Sequence, residues 1–219
     1  MKTTQSAILL SLIGLVSARA ATISWSSAAY TVSGSYGQIL NTGLFVTTGT
    51  QILAENVGGT ATSFDGISFT TGTINFGDTY GGFHEQNPIS QTGTYGTVGT
   101  ASTVNLTGLT TGYTYRIQAL VYDGRGTATI TGRTVEFDGI NQGQYANGVQ
   151  NVTWGNGLLV TGTFVADSSS QNFTIEAFYG TDSKGGQLNT LLVHQTAVPE
   201  SSAALLGGIG MLALIRRRR

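Results

Sequence analysis

The chain has 219 residues, of which 40% are hydrophobic, 9% are aromatic and 32 are Gly. This composition allows one large domain or two small ones with packed cores, and it excludes both collagen, which needs a Gly-X-Y period, and a disordered chain. Residues 21–197 carry ten acidic and four basic side chains, a net charge of −6, which disfavours nucleic-acid binding, and the absence of Cys means that no disulfide supports the fold.

The N-terminus has the three regions of a secretory signal peptide. Lys2 supplies the positive charge, Ala7–Val16 is apolar apart from two residues, and Ala18-Arg19-Ala20 has the small-x-small form that signal peptidase recognises. We therefore predict a signal peptide helix over residues 1–20 and cleavage after Ala20. An uncleaved anchor is the alternative, but the apolar run is about half of the ~20 residues that a spanning helix needs.

Residues 21–197 show the period of two that is typical of β-strands, and no stretch shows a convincing helical period. Asp-Gly and Thr-Gly pairs separate the apolar runs and predict turns. Many short strands with frequent turns predict an all-β sandwich or barrel. The alternating apolar positions are Ile67/Phe69, Ile74/Phe76, Val104/Leu106, Tyr113 to Val121, Leu158 to Phe164 and Phe173 to Tyr179.

The stretch Leu106–Gly124, "LTGLTTGYTYRIQALVYDG", resembles the tyrosine corner of fibronectin-type and related β-sandwich modules. The resemblance implies that the hydroxyl of Tyr115 binds the backbone of the preceding turn. Because the strand region is too long for one fibronectin module, we predict a single jelly-roll-like antiparallel β-sandwich over 21–197. Two tandem sandwiches divided near residues 92–103 are the alternative.

Two long polar segments, Gly77–Gly96 and Asp138–Gly157, interrupt the strands. Long loops at the rim of a sandwich commonly carry binding sites, and aromatic rings among polar groups suit the flat faces of sugars. The candidate carbohydrate contacts in these segments are Tyr80, Phe83, His84, Tyr145 and Trp154. The alternative interpretation is that these aromatic side chains hold their own loops against the sandwich.

The acidic residues and His of the same segments could be drawn as catalytic groups. Glu85 with Glu136 would form a glycosidase pair, and His84 with Asp78 an acid/base pair, but each role requires a spatial separation that sequence does not supply. No Ser lies in a nucleophile-elbow motif, and no His or Cys cluster has metal-ligand spacing. We therefore expect no enzyme, no catalytic metal and no cofactor; at the Asp-Gly pairs and Asp78, plain turns are favoured over a structural Ca²⁺.

The C-terminus ends in an apolar run followed by four basic residues. Ala203–Ile215 is uncharged over thirteen residues, and it is followed by the cluster Arg216, Arg217, Arg218 and Arg219. Such a cluster holds the C-terminus in the cytoplasm by the positive-inside rule and leaves the preceding domain outside. We predict a short membrane helix here, stopped by these Arg residues; the alternative, a buried amphipathic helix, is disfavoured because the run is apolar on all sides.

Directly before the apolar run stands the element Val198, Pro199, Glu200 and Ser201. With the Leu-Leu-Gly-Gly of the apolar run and the terminal Arg cluster, it resembles the PEP-CTERM sorting signal of Gram-negative bacteria, except that Ser201 replaces the usual second Pro. The resemblance covers 198–219 and implies recognition by an exosortase, transient tethering in the inner membrane and delivery to the cell surface or an exopolysaccharide matrix. Pro199 and Glu200 would then contact the sorting enzyme.

Together these features predict an exported, non-catalytic surface or matrix protein with a structural or adhesive role. The alternative function is a carbohydrate-binding module whose rim loops bind exopolysaccharide. A degradative enzyme is the third and least favoured hypothesis.

Overall fold

The computed structural model describes residues 21–33, 38–39, 43–80, 89–123, 132–145 and 156–197. Every regular element in these ranges is a β-strand, so the prediction of an all-β fold is confirmed for the described part. The same part contains no helix that is long and apolar enough to cross a membrane. The predicted signal peptide 1–20, the tail 198–219 and the residues Phe83, His84 and Trp154 lie outside the described residues.

Sixteen strands follow one another in the described part of the chain. They are β1 (Ser24–Ser33), β2 (Gln38–Ile39), β3 (Thr50–Asn56), β4 (Thr62–Phe64), β5 (Ile67–Thr71), β6 (Gly77–Tyr80), β7 (Gly93–Gly96), β8 (Ser102–Thr107), β9 (Thr114–Val121), β10 (Arg133–Phe137), β11 (Ile140–Tyr145), β12 (Asn156–Val165), β13 (Ser170–Tyr179), β14 (Asp182–Ser183), β15 (Gln187–Leu188) and β16 (Thr190–Ala197).

The described strands form one large sheet and two smaller ones. The large sheet has the order β2-β1-β12-β9-β16-β3-β5-β4, the second has the order β11-β10-β13-β14 with β8 also on β13, and the third has the order β15-β7-β6. All described pairs are antiparallel except β3 with β5. In the large sheet, β12, β9 and β16 of the second half of the chain lie between β1 and β3 of the first half, so the alternative of two tandem sandwiches does not describe this arrangement.

The main hydrophobic core lies between the large sheet and the second sheet. Ile117 and Val160 of the large sheet and Phe137 and Ile175 of the second sheet belong to one buried cluster. In β13 the inward positions alternate with outward ones, as the sequence pattern predicts. Two faces packed over one core define a β-sandwich.

A second core covers the opposite face of the large sheet. Leu120 and Leu192 point to this side and pack with Phe45, which precedes β3, and Phe69, which belongs to β5. The carboxamide of Gln118 holds this covering segment by accepting from the Val46 nitrogen at 2.8 Å and donating to the Val46 oxygen at 2.9 Å. β9 is therefore buried on both faces, although its sequence alternates like that of a half-buried strand.

Several predicted turns and strands occur as expected, whereas others do not: the polar segments 77–96 and 138–157, predicted as long loops, contain β6, β7 and β11. Asp65 and Asp138 adopt positive φ angles, as do the Gly residues that follow them, so both Asp-Gly pairs form two-residue hairpin turns. The hydroxyl of Tyr115 accepts a hydrogen bond from the Thr110 nitrogen at 2.8 Å, which confirms the tyrosine corner.

Ile74 and Phe76 do not form a strand. They lie in a loop and pack as partly buried side chains against the main core. The backbone nitrogens of Thr73 and Ile74 donate to the buried Glu55 carboxylate at 3.1 and 3.2 Å, which satisfies these groups without a neighbouring strand.

The pair Thr161-Gly162 is not a turn but part of β12. A Cβ atom at Gly162 would lie 2.4 Å from Cζ3 of Trp25 on the adjacent strand β1. Gly is therefore present because the indole ring packs directly against the backbone of the neighbouring strand.

Candidate functional site

The residues that precede three segments of the chain, 81–88, 124–131 and 146–155, lie close together in the fold. Tyr80 precedes the first segment, Asp123 precedes the second and Tyr145 precedes the third. One buried glutamine, Gln187 of β15, joins two of these positions. The fold therefore brings together the starts of segments that are far apart in sequence.

Both the oxygen and the nitrogen of the Gln187 carboxamide form hydrogen bonds in this arrangement. Its oxygen accepts from the hydroxyl of Tyr145 at 2.8 Å, and its nitrogen donates to the hydroxyl of Tyr80 at 2.9 Å and to the carbonyl of Tyr122 at 2.7 Å. The Tyr80 hydroxyl also donates to the Tyr122 carbonyl at 2.9 Å. Because Gln187 is only 3% exposed, these bonds compete with no bulk water and fix the amide orientation.

Asn189 and Thr190 hold the other side of the first segment. The Asn189 side chain accepts from the Tyr122 nitrogen at 2.7 Å and donates to the carbonyls of Ser90 and Thr92 at 3.2 and 2.9 Å. The Thr190 hydroxyl donates to the Ile89 carbonyl at 2.7 Å. The backbone after residue 88 is therefore fixed by the same short stretch, 187–190, that holds Tyr80 before residue 81.

A buried ion pair lies beside this network. Nη1 of Arg133 is 3.2 Å from Oδ2 of Asp123, and the two side chains are 14% and 1% exposed. Arg133 is also the cross-strand partner of Tyr145. The pair joins residues on the two sides of segment 124–131. Because a buried charge is costly without an opposite charge beside it, each side chain of the pair stabilises the other, and the role of the pair is structural.

Two of the five predicted carbohydrate contacts can be placed. Tyr145 has no exposed surface, so its ring offers no face to a ligand in solution, and the prediction of sugar contact at Tyr145 is corrected to a role in the core. The Tyr145 side chain is buried because its hydroxyl donates to Gln187 and its ring packs in the main core. Tyr80 is half-buried and lies beside Tyr95, with ring centroids 6.2 Å apart.

Tyr95 is an exposed aromatic residue that the predicted site did not include. It is 41% exposed on β7, and its hydroxyl donates to Oδ2 of Asp78 at 2.5 Å. That bond, and a second from the Thr79 nitrogen, hold the pKa of Asp78 below its usual value. The hairpin β6–β7 therefore presents two tyrosine rings and an ionised carboxylate. Tyr95 of β7 lies directly across from Asp78 of β6, and only the register of these two strands reveals this relationship.

The candidate catalytic groups do not form a recognisable centre among the described residues. Glu136 lies on the outer face of the second sheet, directly across from Glu176, and its proposed partner Glu85 lies outside the described residues. A cleft of about 220 Å³ lined by segments 75–76, 97 and 100–103 contains no titratable side chain. In the part of the chain that the structure describes, no three His, Cys, Asp or Glu side chains could share a metal ion.

No protein-family model matches this chain, and no curated protein matches it. Among solved structures, it is similar to the plant receptor-like kinase ANX2, with 10% identity and a TM-score of 0.49 over 68% of this chain and 49% of that one. It is also similar to the ANX1 ectodomain from Arabidopsis thaliana, with 11% identity and a TM-score of 0.48 over 68% and 49% of the two chains. The match therefore spans about half of each neighbour's length. At this level of similarity no function is transferred to this chain.

Proposed function

We propose that this protein is an exported, non-catalytic component of the bacterial cell surface or extracellular matrix, built on a jelly-roll-like sandwich. The observation that supports this proposal best is the order of features at the C-terminus. The sorting element at Val198–Ser201 is followed by the apolar run Ala203–Ile215 and then by Arg216–Arg219. Strand β16 ends at Ala197, so the sorting element begins at the next residue after a strand of the large sheet.

Three carboxylates of the described residues are engaged in holding the fold together, which supports the non-catalytic part of the proposal. Glu55 binds the backbone of loop 73–74, Asp123 binds Arg133, and the Asp138 carboxylate accepts from the Trp25 indole and the Thr174 nitrogen at 2.9 and 2.8 Å. Each of these carboxylates holds two elements together. Carboxylates engaged in this way stabilise a fold that has no disulfides.

The sorting step can be tested in a Gram-negative host that carries an exosortase. A full chain with Pro199→Ala and Glu200→Ala is compared with the intact chain and with a control, Ser202→Ala. We expect the intact chain and the control to be cleaved and to leave the inner membrane, and the double variant to stay in the membrane fraction uncleaved. Identical fractionation of all three chains would contradict the proposal.

A second candidate function, carbohydrate binding, is favoured by the hairpin β6–β7. The exposed ring of Tyr95, the neighbouring ring of Tyr80 and the carboxylate of Asp78 combine an aromatic face with a hydrogen-bond acceptor, as sugar-binding sites do. This surface consists of described residues and does not depend on Phe83, His84 or Trp154.

Carbohydrate binding can be tested by retention of the full chain, in mild detergent, on immobilised acidic and neutral polysaccharides. Tyr95→Ala should lower retention at least tenfold, whereas Tyr179→Ala, a control with a similar exposed fraction of 43% on β13, should leave retention unchanged. If the unmodified chain is not retained on any polysaccharide, or if both variants behave alike, this second function is rejected.

A further inference from the structure

Strand β8 forms an edge of the second sheet. Along one side, Ser102–Thr107 pairs with β13 in a continuous antiparallel register from Ile175 to Ser170. No other strand in the described ranges pairs with β8. The opposite side of β8 therefore presents a row of backbone donors and acceptors, which is a template for another strand.

This edge lacks the features with which proteins usually protect such strands. It contains no charged residue, no Pro and no shift in register. The uncharged region extends from Gln86 to Tyr115, and the paired part of β13, Ser170–Ile175, is also uncharged. By contrast, the strand at the other end of this sheet, β11, lies against β1, where the Ser27 hydroxyl donates to the Gln142 carbonyl.

The sequence of the edge is symmetric in the type of its side chains. It reads Thr103-Val104-Asn105-Leu106-Thr107, so the order of Thr, apolar residue, Asn, apolar residue and Thr is the same in both directions. Thr103, Asn105 and Thr107 are exposed, whereas Val104 and Leu106 are buried in the main core. A twofold axis through Asn105 would therefore place like residues opposite one another. Exposed side chains would lie beside exposed ones, and buried side chains beside buried ones.

We propose that β8 pairs with β8 of a second copy of this chain, forming an antiparallel dimer centred on Asn105. Thr103 then faces Thr107 of the second copy, and Val104 faces Leu106. An antiparallel strand pair about a twofold axis is an isologous contact, so it closes as a dimer. The second sheet of one copy and the second sheet of the other copy then form one continuous sheet.

Charge favours this edge over other surfaces of the domain. With a net charge of −6 over 21–197, two copies repel one another at most orientations. An edge without charged residues lets the backbones approach with little repulsion. The closest side-chain pairs are Thr with Thr and Asn with Asn, which can hydrogen-bond across strands.

The neighbouring strand adds a further match. Asn172 of β13 lies directly across from Asn105, and both side chains are exposed on the same face. The dimer therefore aligns four Asn side chains in one row, Asn172 and Asn105 from each copy. Rows of Asn carboxamides stabilise stacked strands by hydrogen bonding to one another.

The absence of Cys from the chain makes a direct test simple. In a full chain purified in mild detergent, Asn105→Cys should place two cysteines directly opposite one another with their Cα atoms about 4.5 to 5.5 Å apart, close enough for a disulfide after oxidation. Asn172→Cys, one strand further from the axis on each side, is the matched control and should not cross-link. We expect a disulfide dimer on a non-reducing gel for Asn105→Cys alone. No dimer at Asn105, or equal dimer at both positions, overturns the proposal.

The register is tested by a second pair of variants. Thr103→Cys and Thr107→Cys should each cross-link poorly alone, whereas the double variant should form dimers through two disulfides. Efficient cross-linking by either single variant overturns a register centred on Asn105.

Light scattering tests the dimer without thiol chemistry. The protein mass of the unmodified chain should be twice its 22.8 kDa. Asn105→Lys should give the monomer because it brings two like charges together at the axis, and Asn172→Lys should remain a dimer. A monomeric unmodified chain, or a dimer that persists in Asn105→Lys, overturns the proposal.

Discussion

Tyr145 and Gln187 form a buried hydrogen bond in which the phenol hydroxyl donates to the carboxamide oxygen at 2.8 Å. Tyr145 is fully buried and Gln187 is 3% exposed. Through its nitrogen, the same carboxamide binds Tyr80 and the Tyr122 carbonyl. One side chain of a two-residue strand thus joins three distant parts of the chain, and the stability of this end of the sandwich depends on it.

Removing the Tyr145 hydroxyl should destabilise the protein. Tyr145→Phe leaves the buried Gln187 oxygen without that donor, and the expected loss is about 1 to 3 kcal/mol in the free energy of unfolding. Urea unfolding measures it. Tyr179→Phe, at a 43% exposed tyrosine, is the control and should change the free energy by less than about 0.5 kcal/mol. Equal effects would show that the bond to Gln187 contributes nothing.

The tyrosine corner gives a second prediction. Tyr115→Phe removes the acceptor for the Thr110 nitrogen and should lower the free energy of unfolding by about 0.5 to 1.5 kcal/mol. The matched control is Tyr113→Phe, two residues earlier, where the side chain is half-buried. If Tyr113→Phe destabilises the protein as much as Tyr115→Phe does, the corner bond is not the cause.

Gly162 should be intolerant of a side chain. A Cβ atom there would lie 2.4 Å from Trp25 Cζ3 and 2.7 Å from Cε3, so Gly162→Ala should cost about 1 to 3 kcal/mol through overpacking. A smaller partner relieves the clash. The cost of Gly162→Ala, measured by urea unfolding, should therefore fall in a Trp25→Leu background, and strictly additive costs would argue against this contact.

His194 should make stability depend on pH. It is 3% exposed, its Nδ1 has no hydrogen-bond partner, and Arg116 lies directly across from it on β9. Burial, and secondarily the Arg116 charge, lower the pKa of His194 from 6.5. The unfolded chain therefore binds a proton at a higher pH than the folded chain does, so the stabilising difference is complete above pH 6.5 and is lost as the pH falls through the lowered pKa.

The measurement is urea unfolding between pH 5 and pH 8 for the unmodified chain and for His194→Gln. The variant should show a smaller loss of stability toward low pH. An unchanged pH profile in His194→Gln would assign the dependence to other groups.

Asp78 and Tyr95 offer a test at the surface. The Tyr95 hydroxyl is the main cause of the lowered pKa of Asp78, and the Thr79 nitrogen adds to it. Tyr95→Phe should therefore raise this pKa toward 3.8, and Tyr179→Phe should not. Carboxyl ¹³C titration by NMR measures the change. A pKa of Asp78 that stays the same in both variants would contradict the contact.

Local patterns in the sequence were sufficient for much of the fold. Asp65 and Asp138 tolerate positive φ and are followed by Gly, so the two hairpins can be predicted from four residues. The alternation in β13 and the tyrosine at position 115 likewise act through neighbours within a few residues. These interactions join residues that are close together in the sequence, so they can be predicted from the sequence.

Pairing between distant strands could not be predicted in this way. Thr161-Gly162 resembled a turn, but its environment is the indole of Trp25 on another strand. Tyr145 resembled a rim aromatic, but it is buried because Gln187 lies opposite its hydroxyl. In both cases the deciding neighbour is far away along the chain.

The sequence by itself determined the all-β class, the hairpin turns and the corner at Tyr115, because backbone conformational preferences and side-chain alternation are short-range properties. Only the tertiary structure decided which polar groups meet at Gln187, that β9 is covered on both faces, and that the uncharged strand β8 has a partner on only one side among the described strands. The physical reason is that register and sheet order set these contacts, and they follow from the packing of the whole core rather than from any one segment.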